Sequence, residues 1–178
     1  MKSVLISIQP KWCELIASGK KTVEVRKTKP KLETPFKVYI YCTKDNSFAE
    51  KTLRGFDDNG KPIYYKANKG KVIGEFVCDY ITPFRPKALL CDSQIVKTSC
   101  VKLSELIEHA PNKPFPHDHL YAWHISDLVI YDKPKELSEF SRHDNTYDNC
   151  FGWAFEDRAK SIPITRPPQS WCYVEEVE

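Results

Sequence analysis

A chain of 178 residues with 41% hydrophobic residues is long enough to build a substantial core, and its mean hydropathy of -0.50 predicts one globular domain spanning 1–178. The formal charge of only +3 excludes the overall basicity of a nonspecific nucleic-acid binder but leaves a local basic patch open. Seven cysteines, an odd number without a Cys-x-x-Cys pair, argue against a disulfide framework and predict buried thiols in a reducing, cytoplasmic setting. The apolar run Val4 to Ile8, interrupted by Ser7, is too short for a signal-peptide core or a membrane span.

In chain order, Val4, Ile6 and Ile8 alternate as the inward face of a first strand. Pro10 suits the first turn of a helix whose apolar stripe is Trp12, Leu15 and Ile16. Gly19 ends that helix in a left-handed turn and launches a second strand, about Thr22 to Arg26. A basic connection (Lys27, Lys29, Pro30, Lys31) leads to a third strand, Phe36 to Tyr41. Residues 43–70 turn polar and read as an insertion, with Asn59-Gly60 as a tight hairpin turn. A long strand, Lys71 to Ile81, is apolar on both faces, so Glu75 is out of place in it. A short helix over Leu103 to His109, a strand from about Leu120 to Tyr131 and a short helix after Pro134, with Asp132 as a possible cap, come next. A loop-rich elaboration over 141–170 precedes a last strand, Trp171 to Val174, suited to closing a small barrel.

The charged second strand carries the functional signal. In an extended segment Thr22, Glu24 and Arg26 share one face while Val23 and Val25 share the other. The valines thus anchor the strand and an acid and a guanidinium are presented together. Strict alternation places Lys20, and not Lys21, on the side of Glu24; a strand beginning at Thr22 removes that constraint.

Gly19, Lys21, Glu24 and Arg26 resemble the Gly-x-Lys-x-x-Glu-x-Arg motif of the ASCH domain, a PUA-like family associated with RNA binding. The resemblance covers roughly Met1 to Tyr131. It implies an α+β fold, a small PUA-like β-barrel with flanking short helices and loop insertions, and a motif-lined cleft beside the first helix for RNA or a modified nucleotide. Some ASCH members are amidohydrolases of N4-acylated cytidine that use a lysine, a threonine and a glutamate. The resemblance carries the lysine to Lys21 and the glutamate to Glu75. This chain has Glu24 where those enzymes have threonine, and Thr22 lies two positions away, roughly 7 Å along a strand.

Lys21, Glu24 and Glu75 are therefore the candidate catalytic residues, since paired carboxylates beside a lysine can poise one acid to move protons. A structural salt-bridge cluster is the bland alternative. Lys20, Arg26, Lys27 and Lys29 are the candidate RNA-binding residues, with Lys11 and Lys31 extending the basic rim. His117-Asp118-His119, between prolines and irregular sequence, reads as an exposed loop, and its spacing to Cys91 or Cys100 matches no closed zinc site. His124 reads as a core or edge histidine, and most of the four tryptophans as core residues. No metal or cofactor is predicted. Two functions remain open: recognition of RNA or a modified nucleotide, and an enzyme, either an amidohydrolase or a ribonuclease.

Overall fold

The computed structural model describes residues 2–44, 51–56, 62–66, 69–91, 93–114, 118–143 and 161–177. The first strand, β1 (Lys2–Ile8), is buried beyond Lys2. Extended Gln9 and Pro10 at the first helical position start α1 (Pro10–Ala17), whose buried residues are Pro10, Cys13 and Ile16; Trp12 and Leu15 lie only partly covered. The stripe is thus rotated from the predicted one. Gly19 has φ +72° and donates its N–H to Ile16 O at 2.9 Å, the left-handed exit that glycine adopts without strain. Strand β2 (Val23–Arg26) follows, then β3 (Phe36–Cys42). In the 43–70 segment β4 (Lys51–Phe56) pairs antiparallel with β5 (Pro62–Lys66), while Asn59-Gly60 lies outside the described residues.

The predicted strand from Lys71 to Ile81 is two strands, β6 (Lys71–Cys78) and β7 (Ile81–Phe84). Likewise Leu120 to Tyr131 divides into β8 (Leu120–His124) and β9 (Ser126–Lys135). Both breaks occur at one corner, because β6 pairs with β9 and β7 with β8. At the corner His124 Nδ1 lies 2.6 Å from Asp79 Oδ1, its ring stacks on Tyr80, and Ser126 donates to Val77 O. Pairing β12 (Trp171–Glu175) with β1 completes a five-stranded sheet in the order β12-β1-β3-β6-β9, and the other main sheet is β2-β8-β7. Among the described residues no ladder joins these sheets into a closed barrel; the architecture is mixed α and β.

Between β7 and β8 lie α2 (Gln94–Ser99), which the sequence reading did not anticipate, and α3 (Leu103–His109) at the predicted bounds. No helix begins directly after Pro134. β9 runs through it to Lys135, and a 3-10 turn at Leu137–Glu139 is capped by Glu136, not Asp132. An edge strand tolerates the missing proline N–H. In the 141–170 segment β10 (Ser141–His143) pairs with β11 (Ser161–Pro163).

Each face of the five-stranded sheet has its own core. Ile6, Ile40 and Phe76 pack with Cys13 and Ile16 of α1 and with Trp123 of β8; Leu5, Tyr39 and Val72 pack on the other side with Phe140 and Ile164. Val23 and Val25 join a third cluster with Leu106, Leu120 and Ala122, outside the small sheet. Gly74 sits at a bulge where an added Cβ would lie 2.3 Å from Val129 O, so close approach of two strands requires glycine there.

Candidate functional site

The motif strand is an edge strand of the small sheet, with one face turned toward the large sheet. Because Val23 and Val25 turn outward into the third cluster, alternation turns Glu24 and Arg26 inward. In register they stand opposite Trp123 and Tyr121 of β8. The start of the strand is fixed from both sides: Thr22 N–H donates to Thr98 O of α2 at 3.0 Å, and Ile125 N–H donates to Thr22 O at 2.9 Å. Lys21 precedes the strand, so strand alternation does not govern its side chain. Its N–H donates to Leu15 O.

Three motif side chains converge. Lys21 Nζ lies 3.2 Å from Glu24 Oε2, and Arg26 Nη2 lies 3.0 Å from Glu24 Oε1. Their side chains are only 2%, 8% and 13% exposed. Lys21 also donates to Ser99 O at 2.7 Å and approaches the Trp12 ring, 5.1 Å from its centroid. The ammonium group is therefore engaged by a carboxylate, a carbonyl and an aromatic face. Arg26 Nη2 donates to Ser7 O at 2.6 Å, and Nη1 reaches Ser170 Oγ at 3.5 Å. Two cations against one carboxylate leave this buried triad with a formal excess of one positive charge. Two buried donors on the same face, Arg26 Nε and Trp123 Nε1, have no hydrogen-bond partner among the described residues.

Glu75 is not part of this group. It stands opposite Tyr39, which in turn stands opposite Leu5, so it projects from the face of the large sheet that lies away from α1 and the motif. There it accepts a short hydrogen bond from Tyr131 and lies 3.3 Å from Lys37 Nζ, which also contacts Glu176 at 3.1 Å. Burial and the neighbouring Glu75 carboxylate push the Tyr131 hydroxyl far above its ordinary pKa. The fold thus joins Lys21 to Glu24 and separates both from Glu75, leaving the lysine–carboxylate arrangement of the hydrolase resemblance unassembled.

Of the basic candidates, Lys20 is exposed at the turn before β2, whereas Lys27 and Lys29 are exposed beyond its other end. They flank the triad from opposite ends. Lys11 lies over the Trp12 ring at 4.4 Å from its centroid. His109, at the end of α3, is a neighbour that sequence reading missed. Burial holds its imidazole below the usual pKa, the charges of Lys27 and Arg26 lower it further, and Glu24 opposes them. Ser99 was missed with α2, although Ser93 ahead of Gln94 is the kind of residue that marks a helix start.

Beneath the motif, Cys13 and Cys42 form a thiol pair in which burial raises Cys13 strongly, and the hydrogen bond from Cys13 lowers Cys42. Burial also pushes the Cys78 thiol up to about 12. The other described cysteines, Cys91, Cys100 and Cys172, are free but less buried. Asp118 is held by the Arg85 fork at 3.0–3.1 Å, and His119 contacts Tyr121; His117 lies outside the described residues. Among the described residues no three His, Cys, Asp or Glu side chains converge as a metal site, and no helix is long and apolar enough to cross a membrane.

The model of the ASCH domain family matches residues 6–137. Among solved structures, the crystal structure of ASCH from Zymomonas mobilis is similar at a TM-score of 0.60 and 18% identity, covering 98% of this chain and 88% of that one. A single-substitution mutant of the same Zymomonas mobilis protein gives a TM-score of 0.60 at 18% identity, with 99% and 92% covered. No curated protein matches. At this identity the structures establish likeness of fold alone, and the family assignment rests on the matched residues 6–137, which include the whole Gly19 to Arg26 motif: the chain belongs to the ASCH family.

Proposed function

We propose that this protein recognises RNA, or a modified nucleotide within it, at the motif strand, the edge strand of its small sheet. The ASCH family is generally associated with RNA binding. The observation that carries the reading here is the buried Lys21–Glu24–Arg26 triad, with its formal positive excess. Its donors are shut away from solvent and the guanidinium is already bonded to Glu24 and Ser7, so the triad contributes a fixed positive field rather than direct contacts. Lys20, Lys27 and Lys29, exposed at the two ends of β2, are placed to position a phosphate backbone. The whole chain acts as one ASCH-type domain with elaborations at 43–70 and 141–170. The pairing of β12 with β1 supports the single domain, since β12 lies beyond the family match; its two main sheets, meeting at the corner at Asp79–Tyr80 and Ile125, correspond to a PUA-like barrel left open among the described residues.

An amidohydrolase of N4-acylated cytidine or a ribonuclease gains no specific support. Lys21 is engaged on three sides, Glu24 replaces the threonine, and Glu75 faces away. The binding reading is tested with a short single-stranded RNA titrated across a range of salt concentrations. Affinity should fall as salt rises, and a Lys27→Ala, Lys29→Ala double variant should flatten that slope by about 0.7 for each phosphate no longer neutralised. Binding indifferent to salt would contradict the proposal.

A further inference from the structure

The last strand brings aromatic side chains against the basic connection. Ile6 faces the α1 core and Trp171 is its register partner, so Trp171 projects to the same side as the motif, with its ring centroid 6.0 Å from that of buried Trp123. Tyr173, two residues on, shares that face and meets Trp171 edge to face at 5.4 Å. Both polar tips are tied to the loop after β2. Trp171 Nε1 donates to Thr28 Oγ1 at 3.0 Å, and Lys31 N–H donates to the Tyr173 hydroxyl at 2.7 Å. The rings are thus oriented by hydrogen bonds at their edges, while Tyr173 remains 37% exposed. Interleaved with those anchor points are the exposed Lys27, Lys29 and Lys31, with Glu33 as the loop's acidic residue.

We infer that Tyr173, held by Trp171 and the Lys27–Lys31 connection, is a stacking platform for an unpaired base, so that the RNA recognised is single-stranded. This rests on the RNA reading above and specifies its ligand. Rings on flexible side chains lose entropy when a base orders them, whereas these are ordered beforehand. A base has a π-face whatever its identity, and stacking contributes on the order of 1–3 kcal/mol per base. The adjacent lysines hold the phosphates on either side of that base. A duplex keeps its bases stacked on one another and offers no free face to Tyr173. Trp171 and Tyr173 lie beyond the residues 6–137 matched by the family model, so the platform lies outside the segment that identifies the family.

The test uses the full chain and a short fluorescein-labelled RNA of mixed sequence, either single-stranded or annealed to its complement. Tyr173→Ala should weaken single-strand binding by about 5- to 100-fold with an unchanged salt slope, and Tyr173→Thr, which retains β-propensity, should do the same. Tyr173→Phe keeps the ring but loses the bond from Lys31 N–H, so it should bind more weakly than wild type and more tightly than Tyr173→Ala. Duplex binding should be weaker and indifferent to all three. Salt-dependent single-strand binding that survives Tyr173→Ala and Tyr173→Thr unchanged would overturn the platform while leaving the RNA reading intact. Equal loss for strand and duplex would overturn it too, as would a preference for duplex. Absence of salt-dependent binding by the wild type would reject both the platform and the reading beneath it.

Discussion

An ion cluster lies on each side of the large sheet, one on the motif strand that packs against it and one on its own opposite face, and the two differ in depth and sign. Lys21, Glu24 and Arg26 are 2%, 8% and 13% exposed and combine two cations with one carboxylate. Lys37, Glu75 and Glu176 are 30%, 22% and 31% exposed and combine one cation with two carboxylates. Depth decides what each is worth to the fold. A charge shut away from water depends on its partners, whereas a wetter pair is largely compensated by solvent. Sign separates them too: of these two trios, the motif one carries the excess of cations.

The sharpest way to break the contrast is to remove one carboxylate from each cluster. Glu24→Gln leaves two buried cations facing a neutral amide and should cost about 3–5 kcal/mol, read from denaturant unfolding. Glu75→Gln should cost about 1 kcal/mol or less, because Lys37 keeps Glu176 and solvent. Equal losses would mean that burial does not distinguish the two faces. Next in size, Gly74→Ala forces a Cβ against Val129 O at the bulge between the clusters and should cost about 1–3 kcal/mol or more.

The smallest expected effect is on pH dependence near the motif. The His109 imidazole is held low first by burial, so its neutral form is the one the fold favours. At pH above the unfolded value, about 6.5, both states are neutral and stability is unaffected. As pH falls toward and through the lower folded value, the unfolded chain takes up the proton more readily and stability declines. His109→Gln should remove that acid-side decline, to be measured as unfolding midpoints at successive pH values, while Glu75→Gln leaves it in place.

The motif face was more legible in the sequence than the opposite one, for a physical reason. Alternation within β2 is local, so Val23 and Val25 against Glu24 and Arg26 identified an anchored and a polar face without any tertiary information. Gly19 and Pro10 likewise mark the helix between them by their own backbone chemistry. The face taken by Glu75 depends on which strands flank β6 and on bulges at Ile40/Tyr41 and Val72/Gly74, none of which alternation reports. The corner was hidden because Asp79–Tyr80 and Ile125 interrupt runs that keep strand character on both sides. α2 has six residues and no side-chain cap bond, too little for periodicity to register. The pairing of β12 with β1 joins opposite ends of the chain, and with it the contact of Trp171 and Tyr173 with the basic connection became visible only in the fold.

RNA recognition on the motif side can be read residue by residue by following backbone amide shifts of isotopically labelled protein as a short single-stranded RNA is added. Shifts should concentrate at Gly19 to Lys31, at His109 and at Trp171 to Tyr173, with Lys37, Glu75 and Tyr131 nearly silent. Shifts concentrated instead around Lys37, Glu75 and Tyr131 would contradict it.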